Sequence, residues 1–240
     1  MKHRSVRGTI RYTSVKPGMA GTERGREYFS FTHHRDGSTI LRAQCEIEEP
    51  APTVLRDVIY HIGPDMTALH LHVQLMLDDA FLGSGWMRHD VAARTVECES
   101  SAPSTGRRSE SRTVGDFDGF GTHPVVADAY ATRLMADAAA GSRRQLRMVL
   151  PSADHRGATP PAIAEVLIDL EYVGVSRREV AAGAFDCRHF RFIDDSSEGL
   201  GGRTHPAYDI WVTDDDDAIL VYGAIDGYMM NRYELVELVR

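Results

Sequence analysis

Histidine offers the most chemistry in this chain: eleven are present, and imidazole is the side chain best suited to proton transfer near neutrality. His123 and His205 stand out because each sits in a Thr-His-Pro triplet, Thr122-His123-Pro124 and Thr204-His205-Pro206. A residue before proline is disfavoured in the α region, so each imidazole is expected at a loop or strand boundary, where functional groups concentrate. Asp209 follows His205 by four residues on the next strand, sharing a face with Trp211, so it can orient an imidazole as the second member of a general-base dyad. His123 falls where a helix is expected to begin, which favours the neutral ring. The expected chemistry is proton transfer by His205 or His123, with Asp209 orienting and Tyr228 or Arg42 stabilising developing negative charge. Against this stands a structural reading: loop packing for the histidines and an ordinary solvated carboxylate for Asp209.

Other constellations carry less. His70 and His72 are two apart on a strand and share a face with Gln74, a metal-ligand spacing that lacks a third ligand nearby. The alternating Leu69, Leu71, Val73 and Leu75 make the opposite face the core, and no metal is expected. His189 alternates with Cys187 and Arg191 and reads as a cross-strand polar ladder. Gly83-Ser84-Gly85 lacks the flanks of a nucleophile elbow. Asp214 to Asp217 has a calcium loop's composition without its glycine and terminal glutamate, and reads as a solvated hairpin tip. No phosphate-binding glycine motif precedes a helix, so no cofactor is expected.

These residues belong to a chain of 240 with 27 Lys plus Arg, 35 Asp plus Glu and a net charge of −8. That acidity argues against nucleic acid and against an anionic membrane surface as partners. Cys45, Cys98 and Cys187 are widely spaced, which suits a reducing compartment better than a disulfide framework. The basic start alternates Val6, Ile10 and Tyr12 with Arg7, Thr9 and Arg11, as a strand does and a signal peptide does not. A cytoplasmic setting is therefore expected.

The elements that must position the site are mostly strands. Alternation predicts them over 1–12, 28–34, 39–47, 54–62, 68–77, 81–89 and 94–99, with a hairpin at Asp36-Gly37 and a polar loop over 100–111. Pro124, the alanine-rich run that follows and Gly141 predict one helical insert over 124–140. Strands resume over 145–150, 163–173, 178–181, 185–193, 207–213, 218–225 and 228–239. Turns at about ten-residue spacing predict a mainly β fold, a single antiparallel β-barrel of about 11 to 13 strands spanning the chain as one domain.

The C-terminal third carries a resemblance. The run Gly183-Ala184-Phe185-Asp186-Cys187-Arg188-His189-Phe190, the segment from His205-Pro206 through Trp211-Val212-Thr213 and the closing strand resemble bacterial lipocalin-like β-barrel proteins of largely unassigned function. The resemblance implies a barrel around an apolar cavity and brings no catalytic residues. The function expected is a cofactor-independent lyase, isomerase or hydrolase acting on a small, mainly apolar molecule in that cavity. In the enzyme the substrate-binding residues are Trp86, Trp211, Tyr60, Arg42 and Tyr228; the alternative is a non-catalytic carrier in which Trp86, Trp211, Tyr60 and the Met229-Met230 pair line an adaptable pocket. A homodimer stays open as the assembly.

Overall fold

Inward and outward residues alternate along nearly every strand, and that alternation builds the fold. In the computed structural model, which describes residues 3–195, 199–200 and 202–240, the first half is a meander. Its strands are β1 (Arg4–Ser14), β2 (Glu23–His33), β3 (Thr39–Ile47), β4 (Val54–Ile62), β5 (Ala68–Leu77), β6 (Ala80–Asp90), β7 (Thr95–Ala102) and β8 (Gly106–Thr113). A short β9 (Gly119–Phe120) leads to helix α1 (Val125–Ala131). The rest is β10 (Arg143–Leu150), β11 (Ala164–Val180), β12 (Gly183–Ile193), β13 (Tyr208–Thr213), β14 (Leu220–Ile225) and β15 (Asn231–Val239).

All fifteen strands join one sheet ordered 8-7-6-5-4-3-2-1-15-14-13-12-11-10-9. Neighbours are antiparallel except β9 and β10, which run parallel. The pairing of β1 with β15 brings the two chain ends together in the middle of the sheet, and β8 and β9 are its edges. Register aligns Phe29, Ala43, Val58 and Val73 across four strands, all buried, so one row of the core comes from alternate positions of each.

The expected closed antiparallel barrel is thus corrected to an open sheet. The segment between β10 and β11 lies over the β8 side of the gap: the Ile163 N–H donates to the Glu110 carboxylate, and Pro161 rests on β6. A Cβ on Gly85 would lie 2.9 Å from that of Pro161, so Gly83 and Gly85 make room for the Pro161 ring instead of forming a catalytic turn. Strand β8, expected as loop, is exposed along its length save Glu110, and a polar edge strand has no apolar alternation to reveal it. Of the first expected strand, Met1 and Lys2 lie outside the described residues.

Helix α1 lies against the inner face of the sheet. Val125, Val126, Ala129 and Tyr130 are buried, and the Tyr130 ring packs 5.0 Å from that of Phe31. It is shorter than the expected 124–140. After Ala131 the chain tightens into a single 3₁₀ turn, Thr132–Met135, with the Thr132 hydroxyl donating to the Ala129 carbonyl at 2.7 Å. Ala136, Ala139 and Ala140 are exposed, and alanine propensity without a buried face does not sustain so short a helix.

Candidate functional site

The polar interior begins with two strand positions that alternation turns inward. Glu27 shares the face of Phe29 and Phe31 and is fully buried. Its carboxylate accepts the Tyr12 hydroxyl at 2.5 Å and the backbone N–H groups of Val125 and Val126 at 2.9 Å each, holding the first turn of α1. Burial raises its pKa, and these hydrogen bonds oppose the rise. Arg56 lies between the inward Val54 and Val58 and is 2% exposed. Its guanidinium donates to the Arg156 carbonyl.

Three loops and α1 place titratable groups around an interior cavity of about 160 Å³. His123 precedes the helix, His155 lies in the loop after β10, and His205 lies in the loop before β13; all three line the cavity, as do Asp128, Tyr208 and Tyr233. Most of the remaining wall is apolar, including Phe120, Val125, Met148, Leu150 and Ile168. The His155 and His205 ring centroids are 5.2 Å apart.

Each histidine is held by backbone. Nδ1–H of His205 donates to the Pro206 carbonyl at 2.6 Å, which leaves the lone pair of a neutral ring on Nε2. The His205 amide donates to Asp194 at 2.7 Å. Nε2–H of His155 donates to the Arg203 carbonyl at 2.6 Å. His123 bonds the Ser152 backbone, and its Nε2 is buried without a partner. Its φ of 71° is a left-handed conformation uncommon for a non-glycine residue.

The environment separates the acids from the bases. Burial lowers the pKa of His205, and burial with Arg56 and His155 nearby puts His123 well below its ordinary value. Burial and the Glu27 charge raise Asp128 well above the usual carboxylate range, Arg56 opposing. Burial also raises Tyr208, whose hydroxyl has no partner. The cavity therefore sets two imidazoles shifted toward their neutral forms, His123 and His205, beside a carboxyl and a phenol shifted toward their protonated forms, Asp128 and Tyr208.

Of the residues singled out from sequence, His205 and His123 meet at this cavity, and Met229 lines it with them. The others do not join them. Asp209 faces outward from β13 and accepts His189 Nε2–H at 2.6 Å and Arg191 at 2.9 Å; the Pro206 carbonyl orients His205 instead. Trp211 belongs to a separate outer cluster with Cys187 and Val221, with Arg178 3.8 Å above its ring. Trp86 and Arg42 are exposed on the outer face. Tyr60 is inside but accepts the Phe120 N–H at 3.1 Å, fixing β9. Tyr228 sits at the mouth under Arg203, 3.2 Å from ring centroid to guanidinium. His70 and His72 are exposed, and among the described residues no group of three or more His, Cys, Asp or Glu is placed to hold a metal. The expected solvated tip at 214–217 holds for its first three residues, whereas Asp217 is buried and pairs with Arg4 at 2.5 Å.

Sequence reasoning missed Glu27, Asp128, Tyr208, Tyr233 and His155. Four of these had a signal: Glu27 alternates with Phe29, Asp128 lies three residues after Val125 and four before Thr132, and Tyr208 and Tyr233 alternate with Ile210 and Leu235. His155 lies in an irregular loop with no such pattern.

No family model matches the sequence, and no curated protein matches it. Among solved structures, the chain is similar to a β-barrel-like protein of the domain of unknown function DUF1849 from Brucella abortus, with a TM-score of 0.57 and 13% identity over 99% of this chain and 96% of that one. A DUF1089 family protein from Pseudomonas aeruginosa matches at a TM-score of 0.45 and 10% identity, over 84% of this chain and 88% of that one. The first likeness shows a β-barrel-like fold.

Proposed function

We propose that the protein is a cofactor-independent acid/base enzyme, a lyase, isomerase or hydrolase that encloses a small, mainly apolar molecule in the interior of its β-barrel-like fold. One observation carries this reading: a free imidazole nitrogen on His205, the Asp128 carboxyl and the unpartnered Tyr208 hydroxyl line one largely apolar cavity. His205 Nε2 removes a proton, Tyr208 donates a hydrogen bond to the oxyanion that develops, and the protonated Asp128 returns a proton. The cavity's size, about 160 Å³, favours a substrate near one ring in size, since apolar cavities of roughly 150 Å³ take up benzene. Three buried, free cysteines are in keeping with a reducing, cytoplasmic setting.

The test is solvent deuterium exchange, followed by NMR, into a panel of small cyclic ketones, enones and lactones. The wild-type protein is expected to catalyse exchange or turnover of at least one. Saturable binding of panel members without exchange or turnover overturns the enzyme in favour of a carrier.

A further inference from the structure

Beside the histidine cavity lies a second, smaller one of about 70 Å³ with a different chemistry. Its wall includes Arg24, Arg56, Arg156, His123, Asn231 and Tyr233. Arg24 is 6% and Arg56 2% exposed. The Nε–H groups of Arg24, Arg56 and Arg156 and the Nε2 of His123 are all buried without a hydrogen-bond partner.

Local acids do not neutralise this cluster. Glu49 lies 3.8 Å from Arg24 and is shared with Lys16 at 3.0 Å. Arg156 spends one nitrogen on the carbonyls of Pro50 and Pro52, at 2.8 and 2.5 Å. Arg56 has a single carbonyl acceptor, that of Arg156, and no ion pair among the described residues. Asp154 is occupied by the amides of Arg156 and Ala158 in its own loop. A buried guanidinium without a counter-charge is unfavourable; Arg56 is one, and with Arg24, which shares Glu49 with Lys16, and the half-buried Arg156 around the same small void it leaves a site that an anion's oxygens would complete.

The cavity's neighbours indicate what carries that anion. It shares His123, His155 and Tyr233 with the apolar histidine cavity, and Arg24 and Arg156 with a mouth of about 650 Å³ that also includes Lys16 and Arg203. We propose that Arg24, Arg56 and Arg156 form an anion subsite that receives the carboxylate or phosphate group of an amphiphilic ligand whose apolar body occupies the histidine cavity. Anion binding stands on the arginines themselves; its role as the substrate's anchor rests on the acid/base reading above.

The test is calorimetric titration of the full chain with benzoate, phenyl phosphate, benzyl alcohol and inorganic phosphate. At least one ring-bearing anion is expected to bind about tenfold or more tighter than both benzyl alcohol and free phosphate. Arg56→Leu should remove that advantage and leave benzyl alcohol binding unchanged, while the unliganded melting temperature holds or rises because an unpaired buried charge is gone. Should Arg56→Leu fail to fold, Arg156→Gln, nearer the mouth, must show the same selective loss. Equal affinity for benzoate, phenyl phosphate and benzyl alcohol, or anion affinity indifferent to the arginine substitutions, overturns the subsite. Free phosphate binding as tightly as phenyl phosphate overturns the amphiphile and leaves a free-anion site. His205→Ala should retain anion binding, so arginine-dependent binding without turnover of any panel compound supports the subsite while defeating the enzymatic reading.

Discussion

Glu27 Oε1 accepts the backbone N–H of Val126 at 2.9 Å, so a strand residue nearly a hundred positions earlier in the chain anchors the helix that lies against the sheet's inner face. Its other oxygen takes the Val125 amide. Glu27→Ala would leave two buried amide donors and the Tyr12 hydroxyl unsatisfied. A loss of about 2–4 kcal/mol in urea unfolding is expected, with Glu27→Gln, which keeps one acceptor oxygen, costing about half as much. Variants within about 0.5 kcal/mol of wild type would mean that α1 is held by apolar packing instead.

Asp128 makes stability depend on pH in a direction unusual for a carboxylate. Its folded pKa is raised, by burial first and the Glu27 charge second, so the folded state retains a proton that the unfolded chain releases above about pH 4. Stability is full below that unfolded value and falls as pH rises toward the folded one, by at most about 1.4 kcal/mol per pH unit. Asp128→Asn carries no ionisable group there, so its stability relative to wild type should grow from pH 4 to pH 8. Parallel unfolding curves for the two proteins across this range would show that Asp128 ionises normally in the fold.

The strands were legible where one face is buried and the other is not. Strands β3, β4 and β5 match their expected bounds because Leu41, Val58 and Leu71 are core while Arg42, Ile59 and His72 face out. Strand β8 was illegible because nearly all of it is exposed. For the site, proline spacing pointed to His123 and His205, but Asp209 misled: proximity in sequence says nothing about which face a strand residue takes, and one residue of pleat sends it to His189. Arg56 was legible too, since its alternation with Val54 and Val58 turns it inward. A charged residue in an apolar register was the signal of the interior site.

Asp209 provides the negative control. Burial would raise its pKa, but hydrogen bonds from His189 and Arg191 outweigh that and hold it below the usual value. Asp209→Ala should cost about 1–2 kcal/mol of stability through the lost charge-assisted bonds and leave exchange or turnover within about twofold of wild type. A loss of a hundredfold or more would restore Asp209 as a partner of the reaction.

His205 is the residue on which the enzymatic reading depends. Held through Nδ1–H by the Pro206 carbonyl, its Nε2 is available as a base, and a positioned general base contributes roughly 10²- to 10⁴-fold. His205→Ala should lower kcat by that factor with the fold intact, whereas His33→Ala, whose ring sits 3.3 Å from Asp217 and 3.1 Å from the Thr39 hydroxyl in a structural contact, should affect stability and not rate. The pH profile adds a signature that misfolding cannot copy. Burial lowers the pKa of His205, so the acid limb of kcat/KM should fall below the unperturbed histidine value of about 6.5. Burial and Glu27 raise Asp128, so activity should decline on the alkaline side as that proton is lost, and Asp128→Asn should remove this limb along with most of the rate. A profile flat from pH 5 to pH 9, or a His205→Ala variant of wild-type activity, would take proton transfer away from this cavity.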